Sequence, residues 1–281
     1  MRVAAVLVLV AASAALAGGT PREKWMSAAA WSAHTRPKGG PVRAVGFYNA
    51  GCVQGAVALP PSGPGFEVLH LGRRRFFGHP LLVDYVRRLS REAQARGLPI
   101  LLIGDLSQAR GGPTPTDHTS HQSGLDVDIS YTRPADSLWR PLEPAVLERV
   151  SFPVVVDLER QMLTGDWRPA IAELLEIAAS DPVVDRVFVN PVVKRDLCSR
   201  ERAPWLRRIR PGRAHHDHFH VRLACPKGSR ECREHPAPPS DDGCGDELEW
   251  WFSAKARASA PKTTHAPPRP KLPALCREIS R

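Results

Sequence analysis

The stretch His218-Phe219-His220-Val221-Arg222-Leu223 constrains this chain more than any other. Polar and apolar residues alternate in it strictly, which is the period of a strand with one buried face. Phe219, Val221 and Leu223 share the apolar side, and His218, His220 and Arg222 the polar side. Leu125 to Tyr131 repeats the pattern, with Leu125, Val127 and Ile129 on one side and Asp126 and Asp128 on the other. If the two strands are neighbours, their polar faces form one patch of imidazoles and carboxylates.

Six of the eleven histidines fall in the two windows that contain these strands, His118 to Asp128 and His215 to Leu223. His118 and His121 precede the first strand and can fold over the patch from a loop. A catalytic zinc commonly has three protein ligands and keeps a fourth position for water. Imidazoles with a carboxylate suit zinc better than magnesium or calcium. Alternation alone leaves open whether Asp126 or Asp128 is the carboxylate ligand, and Arg222 can be read as simply neutralising Asp126. Any one of these histidines taken singly is more often a core or surface residue than a ligand. The set favours a metal site over a serine nucleophile, because neither Ser120 nor Ser123 sits in a Gly-x-Ser-x-Gly elbow.

The remaining chain reads as mixed helices and strands without regular alternation of the two. Residues 18–65 are rich in Gly, Pro and Ala and read as an extended arm wrapping the domain. Val68 to Leu71 is a candidate short strand. Pro80 to Arg96 carries Leu82, Tyr85, Val86, Leu89 and Ala93 at helical spacing, with Gly97 as the stop. Leu98 to Ile103 reads as a buried strand, and the Gly- and Pro-rich segment from Asp105 to Asp117 as a site-building loop. Residues 132–153 are expected to form a lid or cleft wall, followed by a short strand at Val154-Val155-Val156. Asp166 is the expected cap of a helix running to Ala179, with Val184 to Val189 a strand and a short helix ending at Cys198. The expected fold class is α+β, a central antiparallel sheet with flanking helices and long loops, stapled by disulfides.

Met1 to Ala17 reads as a cleaved secretory signal: Arg2, an apolar run, then Ala15-Leu16-Ala17. The run is shorter than the roughly 20 apolar residues that span a bilayer, and no second run of that length occurs, so no transmembrane segment is expected. Export implies an oxidising compartment, where thiols usually pair. The six cysteines are an even number, contain no Cys-x-x-Cys pair and leave the connectivity open, although a Cys225–Cys232 bond across a tight loop is geometrically plausible. The expected organisation is a signal over 1–17, one domain over 18–253 that holds the metal site and includes the N-terminal arm, and a Pro-rich tail over 254–281 tethered through Cys276. A net charge of +10 suits an anionic polymer. Few aromatics interleave with the basic residues and no RNA-binding signature occurs, which argues against nucleic acid.

His-x-x-His-Gln-Ser-Gly-Leu-Asp-Val-Asp, residues 118–128, and His-x-x-His-Phe-His-Val-Arg-Leu-x-Cys-Pro, residues 215–226, resemble the penicillin-insensitive murein endopeptidases. That family belongs with the lysostaphin-type enzymes, D-Ala-D-Ala carboxypeptidases and the hedgehog domain. The resemblance runs from about Cys52 through Cys276 and includes Gly104-Asp105-Leu106-Ser107 and Arg186 to Pro191. It implies that His121, Asp128 and His220 bind zinc and that His118 takes part in additional metal binding. It casts His218 as the catalytic histidine beside the metal and His215 as a supporting polar group. It also implies the pairings Cys52–Cys276, Cys198–Cys244 and Cys225–Cys232. No histidine lies between His121 and His215, so one zinc is expected. The implied activity is hydrolysis of D-alanyl-meso-diaminopimelyl cross-links in peptidoglycan, in the periplasm. The alternatives are a D,D- or L,D-carboxypeptidase on the same scaffold and a non-catalytic zinc-containing wall-binding protein.

Overall fold

The protein is described by a computed structural model covering residues 27–116, 118–200, 202–259 and 271–281. The expected signal at 1–17 lies outside these residues. The strands that matter here are β1 (Arg43–Phe47), β2 (Ala50–Gln54), β3 (Ser62–Gly63), β4 (Phe66–Val68), β5 (Leu101–Ile103), β6 (Asp126–Ser130), β7 (Val184–Val189), β8 (Ile209–Pro211) and β9 (His218–Leu223). The helices are α1 (Pro80–Ala95), α2 (Pro169–Ser180), α3 (Pro191–Arg200) and α4 (Ala274–Ile279). Seven strands make one sheet in the order β8-β7-β9-β6-β5-β4-β3. Its centre is antiparallel, as expected, while β8 on β7 and β4 on β5 are parallel pairs.

The two alternating strands are neighbours. Phe219 pairs with Ile129, His220 with Asp128, Val221 with Val127 and Arg222 with Asp126. Their apolar residues are fully buried in one core with Tyr85, Leu89, Leu174 and Leu175 of α1 and α2. Each such side chain contributes about 2 kcal/mol through burial. The α1 helix starts at Pro80, where the His79 ring accepts a hydrogen bond from the Leu81 amide at 3.1 Å. It ends before Gly97, whose φ of +71° suits glycine. Tyr85 donates to the Ala178 carbonyl at 3.2 Å and so joins α1 to α2.

Several expectations are corrected. Asp166 does not cap α2. That helix begins at Pro169, with Arg168 at the cap position and no side-chain cap, because proline at N1 presets the first turn. The Asp166 amide instead donates to Thr164 Oγ1 at 3.2 Å in the preceding turn. The strand expected at Val68–Leu71 lies earlier, in β4, since the chain turns at His70 with a φ of +52°. The strand expected at Val154–Val156 is only Val156–Asp157. The supposed extended arm contains the β1-β2 hairpin, with Ala44, Val45, Cys52 and Val53 fully buried. Its strands are too rich in Gly and Ala to show a hydrophobic period.

This hairpin clamps the site loop. Gln122 donates its amide to the Tyr48 carbonyl at 3.0 Å, and Val53 its amide to the Arg110 carbonyl at 3.0 Å. The approach is close enough that a Cβ at Gly111, φ +66°, would fall 2.0 Å from the Gln122 carbonyl. Three disulfides close the structure, Cys52–Cys276, Cys198–Cys244 and Cys225–Cys232. The first fixes α4 to β2. No described helix is long and apolar enough to cross a membrane.

Candidate metal centre

The polar faces of β6 and β9, facing away from the helices, meet the loop that carries His118 and His121. Possible ligand atoms of His118, His121 and Asp128 lie within 4.8 Å of one another. Asp128 is the hub. Its Oδ2 is 3.4 Å from Nε2 of both His118 and His121. Its Oδ1 is 3.0 Å from His220 Nδ1 and 3.8 Å from His218 Nε2. The structure therefore brings together every residue the sequence proposed as a ligand. His121, Asp128 and His220 are buried, whereas His118 and His218 keep about a fifth of their side chains exposed. The first three form a floor and the other two reach solvent.

The two aspartates differ in their partners. Asp126 is fully buried, and both its oxygens are used as acceptors. Oδ1 accepts from Arg222 Nε at 2.7 Å and lies 3.0 Å from His220 Nε2, while Oδ2 accepts from the His121 amide at 3.0 Å. Arg222 neutralises Asp126. Asp126 also orients two of the proposed ligands, which leaves His220 Nδ1 turned toward Asp128.

Electrostatics follow from burial opposed by neighbours. Burial alone would raise the carboxyl of Asp128, but the imidazoles of His121 and His218 hold it well below its ordinary value. Asp126 is treated likewise by Arg222 and His220. The His218 imidazole is raised: burial works against its charge, and Asp128 and Asp217 outweigh it. Burial pushes His215 down to about 3, helped by His220 and His218. His215 is thus a neutral ring, 5.3 Å from the His218 ring and stacked 6.1 Å from Phe188. Both His121 and His215 have left-handed backbones, φ +65° and +54°. Such geometry costs roughly 1–3 kcal/mol each and collects at functional sites.

A cavity of about 230 Å³ opens over this floor, with His118, Asp128, Phe152, Asp217 and His218 in its walls. The cleft-wall expectation for residues 132–153 holds in part, since Ser151 and Phe152 line it. Two acidic residues join the site beyond those expected in it. Asp217 Oδ1 is 2.7 Å from His218 Nδ1. Asp105 Oδ2 is 2.8 Å from Arg75 Nη1 and 3.1 Å from His118 Nε2. Asp217 stands inside the histidine window, a signal that was available. Asp105 reaches the site only because its carbonyl accepts the Asp128 amide at 3.0 Å across the sheet.

The residues fit a metal. Both ring nitrogens of His121 are buried without a hydrogen bond among the described residues. Such atoms are costly to bury unless something binds them, and neutral imidazole is the commonest metal ligand. Two imidazoles and a carboxylate, from His121, His220 and Asp128, with a cavity opening beside Asp128, match the three-ligand open site of a metal-dependent hydrolase rather than a closed structural site. The class is that of a metallopeptidase-type enzyme built on an α+β sheet.

Comparison with known proteins places the chain within that class. The sequence profile described as penicillin-insensitive murein endopeptidase matches residues 44–281. A protein of that name from Klebsiella pneumoniae subsp. pneumoniae is 39% identical over 279 residues, 99% of this chain and 96% of its own. One from Yersinia enterocolitica is 39% identical over 256 residues, 90% of this chain and 91% of its own. One from Salmonella newport is 39% identical over 259 residues, 90% and 92%. The chain belongs to the penicillin-insensitive murein endopeptidase family.

Proposed function

We propose that the protein is an exported zinc peptidase that hydrolyses D-alanyl-meso-diaminopimelyl cross-links of peptidoglycan. The observation that carries this reading is Asp128 ringed by His118, His121, His218 and His220 at the base of an open cavity. His121, Asp128 and His220 would hold the zinc, with His118 beside them. Bound there, zinc supplies Lewis-acid polarisation of the scissile carbonyl and lowers the pKa of water from 15.7 to roughly 7.

The chain's own residues do the rest. Asp217 accepts from His218 Nδ1, which leaves Nε2 as a free base facing the cavity. His218 takes the proton of the attacking water at Nε2 and passes it to the leaving amine. The resulting imidazolium is stabilised by Asp217 and Asp128. Neutral His215, packed against His218, supports the ring and adds no competing charge. Phe152, 5.6 Å from the His218 ring, provides an apolar wall that limits water. No serine takes part, so a reagent that acylates serine, such as penicillin, has no target here. The signal expected at 1–17 and the three disulfides support a periplasmic location.

Mass spectrometry of cross-linked peptidoglycan after digestion, with and without chelator, tests the reading. Monomeric muropeptides should accumulate and the chelator should stop them. Release of terminal D-alanine alone would point to a carboxypeptidase, and chelator-resistant cleavage would refute the metal.

A further inference from the structure

A second cavity has Arg222 of β9 in its wall. Arg222 is two residues from His220 along β9, about 7 Å by strand rise. The cavity has a volume of about 120 Å³, and its walls include Tyr48, Ser123, Arg222 and His235. Arg222 is 7% exposed. Its plane is held by the Tyr48 ring at 3.7 Å and the Phe188 ring at 5.2 Å. Its Nε is committed to Asp126, so the two Nη groups are what it offers the cavity. Neither Nη, nor the Ser123 hydroxyl, has a hydrogen-bond partner among the described residues. His235 stacks on Phe47 and Tyr48 at 5.6 and 5.7 Å and forms an outer wall.

An arginine that is nine-tenths buried and packed on two rings, with no acceptor for its Nη groups among the described residues, is prepared for a planar anion. A carboxylate matches its fork with two parallel hydrogen bonds. Asp185 and Glu234 outnumber Arg233, the other cation at the cavity besides Arg222, and so would repel a dianion such as phosphate more strongly than a monoanion. We propose that this cavity is a carboxylate subsite, in which the Nη groups of Arg222 and the Ser123 hydroxyl bind a free carboxylate of a peptidoglycan stem peptide. The choice of stem peptide as the source rests on the function proposed above; the carboxylate chemistry does not. The subsite is also wired to the metal centre, because Oδ1 of Asp126 serves both Arg222 and His220.

Acetate is the first probe, with acetamide as its neutral counterpart, read by the NMR ring-proton shifts of His235 in the metal-loaded full chain. Acetate should shift them saturably and acetamide should not. Arg222→Gln should weaken acetate binding about tenfold or more. Because Arg222→Gln also disturbs Asp126, Ser123→Ala serves as the second variant and should weaken binding severalfold at unchanged metal content. No saturable shift, or a shift that survives in both variants, overturns the subsite. A stem tripeptide that binds more tightly than acetate, and loses that advantage when its carboxylates are amidated, assigns the subsite to the substrate. Binding no tighter than acetate overturns that assignment and leaves a small free acid as the ligand. Absence of cross-link cleavage alongside intact acetate binding would defeat the proposed function and not the subsite.

Discussion

Replacing Asp126 by Asn tests whether a residue outside the proposed ligand set governs affinity for the proposed metal. The substitution keeps the shape but turns one acceptor into an NH2 donor. Both oxygens of Asp126 now face donors, Oδ1 toward Arg222 and His220, and Oδ2 toward the His121 amide. Either amide orientation therefore sets a donor against a donor in a fully buried position. It also leaves Arg222, 7% exposed, without its counter-charge. Removing one partner of a buried pair costs about 3–5 kcal/mol. Because Asn retains one acceptor, the lower end, about 3 kcal/mol, is expected. His220 loses the partner that fixes its tautomer, and such losses weaken metal binding about 10- to 100-fold. Urea unfolding of the metal-free protein gives the first number, and competition with a calibrated chelator on the folded protein gives the second. Metal affinity within twofold of the wild type, at whatever stability, would refute the orienting role.

His121→Ala and His218→Ala should each abolish release of monomeric muropeptides from cross-linked peptidoglycan while the protein remains folded by circular dichroism; full activity in either would overturn the assigned role. Cys52→Ser with Cys276→Ser opens a bond spanning 224 residues, and should cost about 2–5 kcal/mol in denaturant unfolding and make the chain end at 271–281 sensitive to protease. Lys194 is fully buried, and burial pushes its ammonium down to about 8 although Nζ donates to the Leu206 and Asp242 carbonyls. Its folded pKa lies below its unfolded one, so the unfolded chain binds more protons in between. Its contribution to stability should therefore rise from about pH 8 toward pH 10.5, by on the order of 2–3 kcal/mol. Lys194→Met should remove that slope; equal slopes in the two proteins would contradict it.

The site was unusually open to reading from sequence. Strict alternation in 125–131 and 218–223 encodes the two faces, and a half-buried strand cannot hide that pattern. The helix α1 was legible for the same reason, at its own period. What stayed hidden has a common cause. The β1-β2 hairpin is built from Arg43-Ala-Val-Gly-Phe47 and Ala50-Gly-Cys-Val-Gln54, where small residues pack by close backbone approach rather than by a hydrophobic stripe. The start of α2 was misplaced because Asp166 satisfies the sequence rule for a cap, while Pro169 decides the φ of the first turn. Asp105 falls in a segment that shares the family likeness, but its contact with His118 depends on the pairing of distant strands.

The sequence by itself determined the alternation, the histidine and aspartate types and the family likeness, because strand period and donor chemistry are local properties. Only the tertiary structure decided which strands are neighbours, and with that the register that sets His220 against Asp128 and Arg222 against Asp126. That register divides two similar aspartates into a hub for the proposed metal and a buried acceptor that orients the ligands. It also leaves the Nη groups of Arg222 facing a second cavity. None of this is local, since each assignment depends on which groups from distant parts of the chain are left to satisfy a given oxygen or nitrogen.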